Sequence, residues 1–339
     1  MQLKIVPFMR LICKSEANME RKSYSKKNAS NKEEEDKDPT FWESPDHKVT
    51  KIVIQEGDRH RDKMQFGATG LLKIGSPVEV RGITLEELTG DCFFSKYFNR
   101  LHSGEVQMGN ADSEIDRTLE TCLGSMRPGE KCRAVMRTRL RIQKNKRERV
   151  ELKEVWVDVD CELHLESVLN ATPIAKWYPE TKLEKAKEFH AAAVWLFKTG
   201  RMLDAFHKFR NAVKLVSMYL DEGSKEDVVA REEAKEMRLS VYGNMATCQL
   251  QWGNHGLVVE LASKVLKDQP KNVKMLYQRG SSFLELKRFE EAKVDLFLAH
   301  RIEPANKAIN DKLGVLRVSE KRHKEKMAKS DKALQELIL

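Results

Sequence analysis

The sequence lacks most of what organises metal or covalent chemistry. Its six cysteines, at positions 13, 92, 122, 132, 161 and 248, include no Cys-x-x-Cys pair and no metal-ligand spacing with histidine. They read as reduced thiols of a cytosolic or nuclear protein, and no metal or cofactor is expected. His47, His60, His102, His164 and His190 are scattered, and no Ser-His-Asp or His-Cys cluster has a recognisable spacing. No glycine loop of the phosphate-binding kind is present. No stretch approaches the roughly 20 apolar residues that span a bilayer. The opening MQLKIVPFMRLICK is apolar for only a few residues at a time and has no small-residue cleavage site, so no signal segment and no membrane partner are expected.

What is present fits two folded domains in 339 residues that are 40% hydrophobic. Residues 20–40 are polar and charge-rich and cannot bury enough surface to fold, so residues 1–40 are expected to be a disordered tail. Residues 41–168 read as strands around one helix. KVTKIVIQEG carries Val49, Ile52 and Ile54, and SPVEVRGITL alternates Val78 and Val80 with polar neighbours. EIDRTLETCLGSMRPGEK reads as a helix with Ile115, Leu119, Cys122 and Leu123 on one face, stopped at Pro128-Gly129. Two long strands follow. One turns Ala134, Met136, Leu140 and Ile142 inward, and the other does so with Val155, Val157, Val159, Cys161 and Leu163. One helix on an antiparallel sheet is an α+β fold.

The second half repeats itself. Ala246 and Gly280, Val258 and Ala292, and Pro270 and Pro304 are each 34 residues apart, the tetratricopeptide period. An earlier unit places Ala193, Ala205, Phe209 and Ala212 at the same internal offsets. Its spacing to the second is 53, so 19 extra residues around DEGSKEDVVAREEAKE are expected to lengthen the helices between them. The reading is an all-α solenoid over 183–320 with repeats at about 183–220, 239–272 and 273–306 and a capping helix. A linker at 169–182 precedes it and a basic tail at 321–339 follows. Each helix pair buries its apolar stripe only against its neighbours, which is why small residues recur where helices touch.

Charge raises a further possibility. The chain carries a formal +9, and residues 127–149 hold ten Lys or Arg against two Glu. The reading preferred here is that Arg137, Arg139 and Arg141 answer Asp158, Asp160 and Glu162 across neighbouring strands. No aromatic residue interleaves with the basic ones, which counts against single-strand nucleic-acid binding.

With these elements in order, a resemblance emerges across residues 45–320. SPDHKVTKIVIQEG, GSPVEVRG, DCFFSKYF, EIDRTLETCLGSMRPGEKC and VDVDCELHLESV resemble the segments of the immunophilin, or FK506-binding-protein, domain. Its linkage to three tetratricopeptide repeats resembles the large immunophilin co-chaperones, above all the FK506-binding-protein-like branch, whose isomerase domain is degenerate. The resemblance implies a peptidyl-prolyl isomerase pocket walled by aromatic side chains. Here Val80 stands at the tyrosine of that pocket, Phe94 at the aspartate of the FDSS segment, Leu119 at the tryptophan floor and Val159 at the aromatic of the closing strand. Phe93 alone is retained. Such a chain is expected to have lost isomerase activity. A weakly active isomerase and a scaffold for a signalling kinase are the alternatives.

The same resemblance implies a carboxylate clamp for the acidic C-terminal tail of heat-shock protein 90 or 70. The five clamp positions hold His190, Val194, Asn244, Lys274 and Gln278, with Arg279 adjacent and able to swing in. The expectation is a monomeric, non-enzymatic adaptor of the cytosol or nucleus that binds such a chaperone and its clients.

Overall fold

The computed structural model describes residues 40–75, 79–81, 95–98, 104–146, 149–222 and 227–338. The chain divides into two compact units, Met1–Pro173 and Ile174–Leu339.

The first unit is built on strands β1 (Phe41–Glu43), β2 (Val49–Gln55), β3 (Thr69–Ile74), β4 (Glu79–Arg81), β5 (Gly104–Gln107), β6 (Lys131–Lys146) and β7 (Arg149–Asn170). They form one antiparallel sheet in the order β1-β2-β6-β7-β3-β5, with β4 pairing β7 beside the stretch that pairs β3. Helix α1 (Glu114–Leu123) lays Ile115, Leu119, Cys122 and Leu123 into a core shared with Ala134, Met136, Val157, Val159 and Leu163. Ser113 caps it, its hydroxyl accepting from the Asp116 amide, and Glu114 and Asp116 add negative charge in the first turn.

The helix stops earlier than the sequence pattern suggests. It closes at Gly124, where Ser125 and Met126 turn back onto the carbonyls of Cys122 and Leu123 and the Ser125 hydroxyl takes the Cys122 carbonyl at 2.6 Å. These bonds satisfy the last turn before Pro128 is reached.

The parity of β2, which its apolar residues leave open, is fixed in the structure. Val49 and Lys51 point into the molecule, while Ile52 and Ile54 are exposed and Phe41 faces Ile52 across the β1–β2 ladder. The cause lies across the chain, where Lys51 pairs with the buried Glu130, whose other oxygen accepts from the Arg127 amide. The arginine ladder is shifted. Arg137 sits opposite Asp158, but Arg133 makes the two-pronged bond to Asp160, both distances 3.0 Å, and Arg139 faces Trp156 and bonds Glu114 of α1 at 3.0 Å.

The second unit opens with a short 3-10 turn (Ile174–Lys176) and continues through α2 (Pro179–Lys198), α3 (Met202–Glu222), α4 (Val228–Gln251), α5 (His255–Asp268), α6 (Val273–Glu285), α7 (Phe289–Ile302) and α8 (Lys307–Ile338). Each helix packs on the next. The extra residues between the first two repeats lengthen α3 and α4 to 21 and 24 residues, against 13 or 14 in α5, α6 and α7. Ala193, Ala246 and Ala292 are fully buried at the helix contacts, and the three turns between paired helices use left-handed residues at Gly200, Gly253 and Lys287. Among the described residues no helix is long and apolar enough to cross a membrane.

Candidate peptide-binding surface

Helices α2, α4 and α6 are the first helices of the three repeats, and α4 touches both of the others. On α4, Ser240, Asn244 and Thr247 recur at four- and three-residue steps and therefore share one face. Each flank of that face meets a neighbouring helix. On one side the Ser240 hydroxyl lies 3.5 Å from Nε2 of His190 on α2, and one turn earlier Lys187 bonds Glu233 at 2.8 Å. On the other side the Gln278 amide of α6 donates to the Thr247 hydroxyl at 3.0 Å. His190, Asn244 and Gln278 thus lie along one surface, and Lys274 stands one turn before Gln278 on the same stretch of α6.

Their environments differ. Lys274 is exposed, Asn244 and His190 are half-buried, and Gln278 is buried. Lys274 projects its charge toward α4, where it opposes the burial that pushes the Cys248 thiol up to about 12. His190 packs its ring 6.1 Å from that of Phe209, and burial holds its pKa below the ordinary imidazole value, so it is neutral at pH 7. Gln278 spends its amide on Thr247. Its carbonyl oxygen is buried without a hydrogen-bond partner, an acceptor rather than a donor for any incoming group. Val194, half-buried on α2, adds an apolar wall.

Arg279 does not swing toward this surface. Its guanidinium grips Asp295 of α7 with two bonds of 2.7 Å, donates to Ser263 of α5 at 3.0 Å, and lies 5.9 Å from the Phe283 ring. Asp295 is almost fully buried, so releasing Arg279 would strand a carboxylate in the interior. The sequence pattern also gave no sign of Ser240 and Thr247. Their positions on the α4 face follow once Asn244 is placed, but their partners on α2 and α6 do not.

In the first unit, Leu119 and Val159 are sealed in the core at 0% exposure, and Val80 pairs with Val159 across the β4–β7 ladder. Phe93 and Phe94 lie outside the described residues. A cleft of about 330 Å³ opens elsewhere, lined by Thr69, Lys96, Tyr97, Glu105, Gln107 and Asn110. Beside it the Glu120 carboxylate accepts from the Gly109 and Ala111 amides, both at 2.8 Å, and from the Tyr97 hydroxyl at 3.0 Å. This polar lining suits water better than a twisted, apolar imide.

No family model matches the chain. It is similar to the Hsp70/Hsp90 co-chaperone CNS1 of Saccharomyces cerevisiae, 33% identical over 150 residues, 44% of this chain and 37% of that protein. It is also similar to the FK506-binding protein-like protein of Mus musculus, 26% identical over 58% of this chain and 48% of that one. A third relative is the peptidyl-prolyl cis-trans isomerase FKBP4 of Bos taurus, 27% identical over 74% of this chain and 53% of that one. The chain is FKBP-like, with C-terminal tetratricopeptide repeats. The matches span about half or less of these relatives' own length.

Proposed function

We propose that the chain is a non-enzymatic co-chaperone adaptor whose α2, α4 and α6 surface holds the acidic C-terminal peptide of heat-shock protein 90 or 70. The observation that carries this reading is Lys274, an exposed ammonium one helix away from Asn244 and at the end of a polar face that continues through Ser240 to His190. A cation beside an amide donor suits a carboxylate, because charge-assisted hydrogen bonds are the strong ones. The similarity to a named Hsp70/Hsp90 co-chaperone supports the same reading. The pocket region supports the absence of catalysis. Lowering the barrier to amide rotation requires a cavity complementary to the twisted amide, and Leu119 and Val159 are fully buried among aliphatic neighbours of the described core.

A labelled heat-shock protein 90 C-terminal peptide, titrated with the full chain and followed by fluorescence anisotropy, tests this. Removing one charged hydrogen bond costs about 1.5–3 kcal/mol, so Lys274→Ala should weaken binding by about 10- to 100-fold. Unchanged affinity in that variant, with its fold intact by circular dichroism, would move the site to another surface.

A further inference from the structure

The residue that stands first in the clamp is a histidine, and its surroundings decide what that does. His190 is half-buried between α3, which offers the Phe209 ring, and α4, which offers the Ser240 hydroxyl. Lys187, one turn before His190 on α2, is bonded to Glu233 of α4 at 2.8 Å. On α6, Lys274 and Gln278 face the Asn244–Thr247 end of the surface. Burial is the one influence that shifts the imidazole's titration, with no charged group of α2, α3, α4 or α6 contributing among the described residues. His190 is therefore poised to respond to an added charge, since no resident one already sets its state.

Resting on the adaptor reading above, we propose that His190 makes acidic-tail binding proton-linked: the imidazole takes one proton from solvent as a peptide carboxylate seats against it, becoming a second cation opposite Lys274. The proton count is one, and no other bond is made or broken. In the free protein the imidazole is neutral at pH 7. A carboxylate within about 4–6 Å favours the charged form and raises its pKa in the complex. Between the free and bound values the complex holds more protons than its parts, so affinity rises as pH falls, by at most tenfold per unit. Above the bound value the histidine stays neutral and contributes only a single hydrogen bond. A permanent lysine at this place would give tighter, pH-flat binding. The histidine instead makes His190 a specificity-determining residue whose contribution depends on acidity.

The experiment measures the same labelled peptide at pH 7.5 and pH 6.0, where its carboxylates stay ionised, with wild type, His190→Gln and His190→Lys. Wild-type affinity should rise about three- to tenfold on acidification. It should change less than twofold in both variants, with His190→Lys the tighter at pH 7.5. A second readout follows the His190 ring proton by NMR across pH, and its midpoint should move up when the peptide saturates the protein. Lys274-dependent binding with no pH slope, an equal slope in His190→Gln, or an unmoved His190 midpoint overturns the proposal and leaves the adaptor reading standing. Absence of peptide binding at both pH values overturns both.

Discussion

Gly253 and Lys287 occupy the same place in successive repeats, 34 residues apart, and share one backbone conformation, with φ of 72° and 61°. Gly200 does so in the first repeat at 76°. This turn must enter the left-handed region to bring the second helix of each pair back onto the first. Only glycine does so without a penalty, because a Cβ crowds the following carbonyl by roughly 1–2 kcal/mol. The third repeat carries that strain at Lys287. Lys287→Gly should release it, and after the greater entropy of an unfolded glycine is subtracted the gain is about 0.5–1 kcal/mol. Urea denaturation of the full chain, read as a higher midpoint at unchanged slope, checks this. A lower midpoint would mean that the lysine stabilises the turn in some other way.

Gly280 and Gly243 lie in the middle of helices and make opposite predictions. A Cβ on Gly280 would sit 2.9 Å from Cγ of Leu296 and 3.1 Å from Cβ of Asp295, both on α7. Neither atom is the free end of a side chain, so α6 and α7 would have to separate. Gly280→Ala should therefore cost about 1–3 kcal/mol. A Cβ on Gly243 meets only the thioether end of Met275 at 3.7 Å, an ordinary contact with a flexible group. Gly243→Ala should stabilise α4 by about 0.5–1 kcal/mol, the usual gain in a helix interior. Thermal unfolding of the two variants side by side distinguishes close packing from helix propensity. Equal shifts of the same sign would refute the packing argument.

The repeats were legible because their signal is local and periodic. Small residues at Ala193, Ala246 and Gly280 mark helix contacts that every copy must make, and the 53-residue interval announced the longer α3 and α4. The sheet was legible where alternation was strict, as at Ala134 and Met136, and illegible in VTKIVIQ, where apolar residues at 49, 52, 53 and 54 fit either parity. Glu130, 79 residues after Lys51, decided that parity, and no local pattern carries such a partner. The same limit applied to the candidate surface. The resemblance pointed to Asn244 and Lys274, but only the structure shows Arg279 held on Asp295 instead of reaching that surface.

The isomerase question has a direct answer in kinetics. Uncatalysed X-Pro isomerisation crosses a barrier of about 18–20 kcal/mol and takes tens to hundreds of seconds at 25 °C. An enzyme of this kind has no nucleophile to rely on and accelerates only through a cavity that fits the twisted amide better than the planar one. In this chain Leu119 and Val159 are at 0% exposure, packed with Met136, Val157 and Leu163 into a continuous core. The described cleft is lined by polar and charged side chains. A proline-peptide assay with micromolar full-length chain should show the thermal rate within error, even though a relative 27% identical carries an isomerase name. Opening the core with Leu119→Ala should lower stability by about 2–5 kcal/mol without creating activity, because a cavity lined by aliphatic groups alone lacks the aromatic walls that would hold the ring. Catalysis by the wild-type chain at a rate comparable to that relative would show that a pocket forms from residues outside those described, and the proposed non-enzymatic reading would fall.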